Sequence, residues 1–478
     1  MSRPPYVSFP VRPKPGRRLT SADIVESLLV ETKAGHIPAG SRLPPVRVLE
    51  HQLGLSKNTA QAAYDELVAR GVLEAREREG VFVAACPEIP AQRAAIAVPP
   101  LPRLCDALPV GGGHAPRGML ALSTVFVDPE LLPRDRLADC ARSVLKSQGL
   151  APFYDPQGYL PLRELIAARL RARGMDAAAS NVIITAGSQQ ALDLVARANA
   201  VKRVAMESPS YGHAKLLFQS LGYSTTALRL DPFEGIAFEE WESCIVRDRP
   251  SFFYTVTSFQ NPTGYSYSSH ELRALLELAR AYDVALVEDD WGSDMLSGGE
   301  YRPMLRLLGG SHVVYLNTFT KKLLPSLRIG FLLADASLIP ALVSVKRVST
   351  LGNPWLMEAI LAEFLDRGYY DAHLASLQAE LDARYTHCLT ALAELMPSDV
   401  RWTRPGGGPI LWVEVPRAID LSRLTARLHE RGVSIDCCAE AFHGSAHLHG
   451  FRLSYAFPPT NELRRGLEIV ADEIKKGA

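Results

Sequence analysis

The sequence carries no surplus of either charge: 52 Lys and Arg are matched by 52 Asp and Glu over 478 residues. A balanced chain has no global field to gather nucleic acid, membrane or acidic ligands, so any DNA contact must come from a local patch. Paired cysteines are missing as well. The seven present, Cys86, Cys105, Cys140, Cys244, Cys388, Cys437 and Cys438, are odd in number and lack metal-ligand spacing, which argues for reduced, mostly buried thiols. Long apolar runs are also absent. The start, MSRPPYVSFPVRPKPGRR, is basic with no apolar core behind it, and no later stretch is long enough to span a bilayer. A soluble, cytoplasmic protein with no membrane partner is expected. There are no internal repeats.

What is present exceeds one ordinary core, since 478 residues at 47% hydrophobic and 22% charged call for at least two domains. Composition changes most at residues 86–118, where prolines recur and Gly111, Gly112 and Gly113 stand in a row, the mark of a linker. Residues 1–85 before it show a compact helical pattern ending in a short strand pair. Residues 119–478 after it alternate strand-like runs (VIITAG, RVAMES, SFFYTVT, VALVED) with amphipathic helices, which predicts a doubly wound α/β domain. The last part, from about residue 370, mixes helices with ILWVEV and FRLSYAF and predicts a smaller α+β subdomain.

The first 85 residues divide into three helices and a wing. Ser21 is expected to cap the first helix, with Ile24, Leu28 and Leu29 on its buried stripe. A short second helix follows Pro44 and Pro45, turns Val48 and Leu49 inward and ends at Gly54. Tyr64, Leu67 and Val68 are expected to pack the third helix, while Lys57, Asn58, Thr59 and Gln61 sit near its N-terminus, where a recognition helix meets base edges and phosphates. Gly71 ends it, and VLEAREREGVFVA suits a β-wing carrying Arg76 and Arg78. Twelve Lys and Arg against nine Asp and Glu leave this segment modestly basic. The arm of Arg12, Lys14, Arg17 and Arg18 reads equally as a solubilising tail or a minor-groove arm.

The larger segment distributes the needs of a cofactor that must be held covalently, tuned electronically and anchored by a phosphate. In NTFTKKLLPSLRIGF, the Lys321 amine can form an imine with an aldehyde once neutral, and Arg328 can grip a phosphate bidentately. The hydroxyls of Thr318 and Thr320 add donors to the same dianion. Lys322 is the adjacent alternative to Lys321. In TAGSQQAL the amides of Gly187, Ser188 and Gln189 open a helix and can converge on the phosphate. Asp289, ending the strand VALVED, can pair with a pyridine nitrogen; Asn261 in QNPTG can donate to a phenolic oxygen; Tyr211 in SPSY can stack on the ring.

Two resemblances follow. LPPVRVLEHQLGLSKNTAQAAYDELVARGVL resembles GntR-family winged helices, which implies double-stranded DNA as partner and places Arg47, Lys57, Asn58, Thr59 and Gln61 at or beside the contacts; Lys57 stands where many members have arginine. The order of the cofactor motifs over residues 119–475 resembles fold type I aminotransferases. That resemblance implies pyridoxal 5'-phosphate bound as an imine to Lys321, Asp289 on its pyridinium, Asn261 on its phenolic oxygen, Tyr211 stacked on it, and a phosphate site of Arg328, Gly187, Ser188 and Gln189, to which the residue reading adds Thr318 and Thr320. It also implies Arg452 in FRLSYAF as the substrate-carboxylate arginine, and Tyr154 as a residue reaching the partner's site in a head-to-tail homodimer. Trp291 departs from it, standing where relatives place a tyrosine that touches the cofactor: either the indole N–H donates instead or nothing does. Together the two halves resemble MocR-type regulators, in which an amine or amino-acid effector replaces Lys321 on the cofactor. An active aminotransferase, and a DNA-binding protein whose large domain only dimerises, are the other readings.

Overall fold

The computed structural model describes residues 5–11, 19–85, 118–147, 155–295 and 304–477. Arg12, Lys14, Arg17, Arg18, Cys86, Cys105, Tyr154 and the 86–118 linker up to residue 117 lie outside the described residues. The chain divides into two compact units, Met1–Cys105 and Asp106–Ala478.

In the first unit, helices Ser21–Lys33, Val46–Leu53 and Lys57–Ala69 precede an antiparallel pair, Leu73–Arg76 with Gly80–Val83. The first cap is Thr20 rather than Ser21. Its N–H and hydroxyl both donate to Asp23 Oδ2, at 2.9 and 2.7 Å, a capping box that makes Ser21 the first helical residue instead of the cap. Gly54, at φ 63°, closes the second helix in the left-handed region that a side chain would strain. On the third helix Ala60, Ala63, Tyr64 and Leu67 are buried against Ile24, Val25, Leu28 and Leu49. Val68, expected in that face, is 37% exposed: it lies about 100° round the helix from Leu67, off the 60–63–64–67 stripe. The buried Tyr64 hydroxyl donates to the Pro44 carbonyl at 2.8 Å and so ties the recognition helix to the turn before the second.

In the second unit a seven-stranded sheet runs in the order Val182–Thr185, Gly330–Leu333, Val313–Thr318, Ala285–Asp290, Phe252–Thr255, Arg203–Ser208, Ser224–Arg229. All pairings are parallel except those of Gly330–Leu333, which is antiparallel to both neighbours. Val182–Thr185, Phe252–Thr255 and Val313–Thr318 are buried at every position and mainly apolar, as a sheet covered by helices on both faces requires. A smaller antiparallel sheet of Arg401–Trp402, Ile410–Glu414 and Gly450–Ser454 packs with helices Leu421–Glu430 and Thr460–Lys475. Leu120–Ala121 pairs in parallel with Val433–Ser434, and Leu122 joins this smaller core, so the segment just after residue 118 packs with the C-terminal subdomain. Among the described residues, no helix is long and apolar enough to cross a membrane, and Cys140, Cys244, Cys388, Cys437 and Cys438 are free thiols.

Candidate functional site

Parallel strands deliver their C-terminal ends to one edge of the sheet, where open α/β folds form their crevice. There Lys321, just past Val313–Thr318, enters a cavity of about 420 Å³ walled by Ser188, Tyr211, Asn261, Thr320, Arg328 and Arg452, with Gln189 and Thr318 also on its lining. A smaller adjoining chamber of about 50 Å³ adds Asp289, Tyr254 and Trp291 around the same lysine. The structure therefore gathers into one place residues that are widely separated in the sequence.

The two adjacent lysines face opposite ways. Lys322 is 1% exposed, with Nζ 2.9 Å from Asp294 Oδ1 and 2.8 Å from Asn317 Oδ1. Lys321 points into the cavity, its Nζ 3.9 Å from the centre of the Phe126 ring. Burial, then the charges of Arg452 and Arg328, lower its pKa to about 7 against the pull of Asp289. At neutral pH a large fraction of this amine is unprotonated and nucleophilic.

Asp289 accepts a hydrogen bond from the Tyr254 hydroxyl at 2.9 Å on Oδ2, while Oδ1 is buried without a partner. Burial raises its pKa to about 7, helped by Asp290 and Glu207 and opposed by Tyr254 and Lys321. Thr320 Oγ1 is likewise buried and unpartnered. Thr318 differs from the expectation of two free hydroxyls: it donates to the Ile329 carbonyl at 3.3 Å and accepts the Thr320 N–H at 3.1 Å, so its proton serves the turn.

Arg328, at φ 51°, donates to the Ala186 carbonyl at 2.9 Å and lies against Gly187, the cap of helix Ser188–Ala198. A Cβ on Gly187 would stand 3.1 Å from the guanidinium, and one on Gly330 would stand 2.7 Å from the Gly187 carbonyl carbon, so both positions require glycine for this approach. Gln189 spends its side-chain Nε2 on the His213 carbonyl at 3.4 Å; its backbone amide, in the first turn of the helix, is the group suited to an anion. Orphaned buried polar atoms are rare and mark a site that awaits a partner. Helix-terminal amides, Thr320 and Arg328 suit a phosphate, and Asp289 Oδ1 suits a pyridinium N–H. The residues present fit pyridoxal phosphate.

Arg452 donates to Asn261 Oδ1 at 2.9 Å, to the Ser123 carbonyl at 2.9 and 3.3 Å, and to Asp436 Oδ2 at 3.0 Å. With its oxygen taken, Asn261 presents its Nδ2 donor. Tyr211 stacks on His213 with ring centroids 5.4 Å apart, and burial followed by the nearby Asp289 raises its phenol pKa to about 12. The Trp291 indole N–H donates to the Phe259 carbonyl at 3.1 Å, so of the two possibilities open from the sequence it does not take the missing tyrosine's part. Sequence reasoning missed Tyr254, Phe126, Ser123, Asp436 and Glu440. A tyrosine in the strand before an aspartate-tipped strand was the one usable signal among them.

On the helical head, Arg47, Lys57, Asn58 and Gln61 are exposed. Thr59 is half-buried, with its hydroxyl 2.8 Å from Ser56 Oγ at the helix cap, and Gln61 Nε2 donates to Asp65 Oδ1 at 2.8 Å. Lys57 and Asn58 project from the first turn, where helix amides add to their pull on phosphate.

Fold and pocket together define a two-part protein: a winged helix fused to an aminotransferase-like domain. Residues 128–470 match the family "Aminotransferase class I and II", to which the chain belongs, and residues 20–83 match "Bacterial regulatory proteins, gntR family". Over 93% of its length it is 29% identical to the probable rhizopine catabolism regulatory protein MocR of Rhizobium meliloti, covering 91% of that protein. Over 92% it is 28% identical to the HTH-type transcriptional regulator TauR of Rhodobacter capsulatus, covering 94% of it. The alpha-aminoadipate aminotransferase LysN of Thermus thermophilus, solved with N-(5'-phosphopyridoxyl)-L-leucine, aligns at TM-score 0.70 and 30% identity over 76% of this chain and 93% of that one. The chain is a DNA-binding regulator of the GntR and aminotransferase fusion type.

Proposed function

We propose that this regulator holds pyridoxal 5'-phosphate on Lys321 and uses it to sense an amine or amino acid, changing the affinity of its winged helix for DNA. The observation that carries the reading is the Lys321 amine, its pKa lowered to about 7, in a pocket that also holds the unpartnered Asp289 Oδ1 and Thr320 Oγ1, on a chain that also bears a GntR head. When bound, the cofactor supplies an aldehyde that condenses with primary amines and a ring that withdraws electrons. Arg328, Thr320 and the amides of Gly187, Ser188 and Gln189 bind its phosphate. Asp289 Oδ1 holds the proton on the ring nitrogen, Asn261 Nδ2 donates to the phenolic oxygen, and Tyr211 covers the ring. An effector amine competes with Lys321, and the switch requires that it bind the two states of the protein with different affinity.

The reading includes a cytoplasmic head-to-tail homodimer, with Tyr154 reaching the partner's pocket and paired heads reading two half-sites through Arg47, Lys57, Asn58, Thr59 and Gln61. An active aminotransferase is the second reading, favoured by the likeness to LysN; commitment of the Trp291 indole to Phe259 weighs against efficient proton transfer at the cofactor. The experiment is to select DNA from a random pool with cofactor-loaded protein, then measure affinity with and without amines for the wild type and Lys321→Ala. Amine-dependent affinity in the wild type alone supports the reading. Steady turnover of an amino donor and a keto acid, with DNA affinity indifferent to amines, supports the second.

A further inference from the structure

The ligand end of the cavity carries more negative charge than a carboxylate-binding pocket needs. Arg452 has five N–H donors, and four are engaged, by Asn261, Ser123 twice and Asp436. A ligand carboxylate seeking a two-pronged grip must displace Asp436. Asp436 is held in place: its N–H donates to Ser123 Oγ at 2.9 Å, and its Oδ1 accepts the Cys438 N–H at 2.8 Å. Glu440 lines the same cavity, pressed against Gly212 so closely that a Cβ there would stand 2.5 Å from its Cγ. Lys215 interacts electrostatically with Glu440, but its ammonium is turned to the Phe442 carbonyl and does not line the cavity. Arg452 is therefore ion-paired with Asp436, and Glu440 is a further carboxylate on the cavity wall whose nearby cation, Lys215, is outside the lining.

We propose that the effector is a short aliphatic diamine without a carboxylate: one amine meets the cofactor at Lys321, and the other, as an ammonium, sits at Asp436 and Glu440. The proposal rests on the amine-sensing reading and narrows it. A matched monoamine brings no second cation to the cavity wall at Asp436 and Glu440, and an amino acid must compete with Asp436 for Arg452 and approach Glu440 with like charge.

The test is calorimetric titration of the full-length, pyridoxal phosphate-loaded protein with diamines of three to five carbons, 1-butylamine, 4-aminobutanoate and L-alanine. The diamine of best length is expected to bind at least about tenfold tighter than any of the others, as one charged hydrogen-bonded contact provides. Asp436→Asn keeps an acceptor for the Cys438 N–H while removing the charge; it should weaken the diamine and strengthen the carboxylate-bearing amines, opposite changes that simple damage to the pocket would not produce. Glu440→Gln should weaken the diamine and relieve the like-charge penalty on the carboxylate-bearing amines. Equal affinity across the ligands, tighter binding of an amino acid by the wild type, or an Asp436→Asn effect of one sign on both classes overturns the diamine assignment while leaving amine sensing standing. Failure of every amine to bind the loaded protein overturns both.

Discussion

Arg452 donates from Nη1 to Oδ1 of Asn261 at 2.9 Å, so an arginine of the small sheet fixes which end of an amide on the large domain faces the cavity. The same guanidinium is the foremost charge lowering the pKa of Lys321. Orientation at one cofactor contact and basicity at another thus depend on a single side chain.

That dependence gives a pH prediction. The Lys321 amine titrates at about 7, below the usual lysine value, and its neutral form is the one that captures an aldehyde. The rate of pyridoxal phosphate capture should rise with pH through about 7 and level off above it. In Arg452→Met a neighbouring positive charge is gone, protonated Lys321 is less disfavoured, and the midpoint should move up by about one unit. Stopped-flow absorbance from well below to well above neutrality reads both; a flat wild-type profile would show the amine is not the titrating group.

Adjacent lysines should fail in different ways. Lys322→Ala leaves Asp294 buried beside a more distant Arg173, at 3.5 Å, and should cost about 3 kcal/mol of stability, seen as a lower denaturation midpoint. The folded fraction of that variant should still take up cofactor.

Replacing Trp291 with Phe leaves the Phe259 carbonyl without its indole donor and should cost about 1 kcal/mol. Because the indole N–H is directed at backbone, the visible spectrum of the loaded protein should not shift. A shifted absorption maximum would mean that the indole does reach the cofactor.

Lys57→Ala on the head should weaken binding to any duplex by a similar factor and reduce the slope of log affinity against log salt by about one, as loss of one phosphate contact does. Gln61 is held by Asp65 in the free protein, so Asp65→Ala should preserve or improve affinity by freeing it.

The motifs legible in the sequence are those whose chemistry fixes local spacing: Lys321 with Arg328 across one turn, Asn261 before a proline, Asp289 at a strand end, and glycines and caps that punctuate the three helices. Ser123 and Asp436 are not legible, because their contacts join segments far apart in the chain and no local pattern announces them, and Tyr254 offers only its place in the strand before the one that Asp289 ends. Asp289 and Tyr254 meet across neighbouring strands, which only the sheet order reveals. The misplacements were of helix phase. Ser21 is one residue past the cap at Thr20, and Val68 extends the expected face one residue beyond Leu67, which is buried as expected; one residue turns a helix by about 100°. Trp291 was visible as a departure, but its direction depends on the Phe259 carbonyl, 32 residues away.

The most direct measurement is borohydride reduction of the pyridoxal phosphate-loaded protein, followed by peptide mapping, with Lys321→Ala alongside. Wild-type protein should show visible absorption that reduction abolishes, leaving the phosphopyridoxyl mass on the peptide containing Lys321, and the variant should show neither. No absorption with excess cofactor, or a label on another lysine, would contradict a cofactor held at Lys321 and with it the sensing function built on that residue.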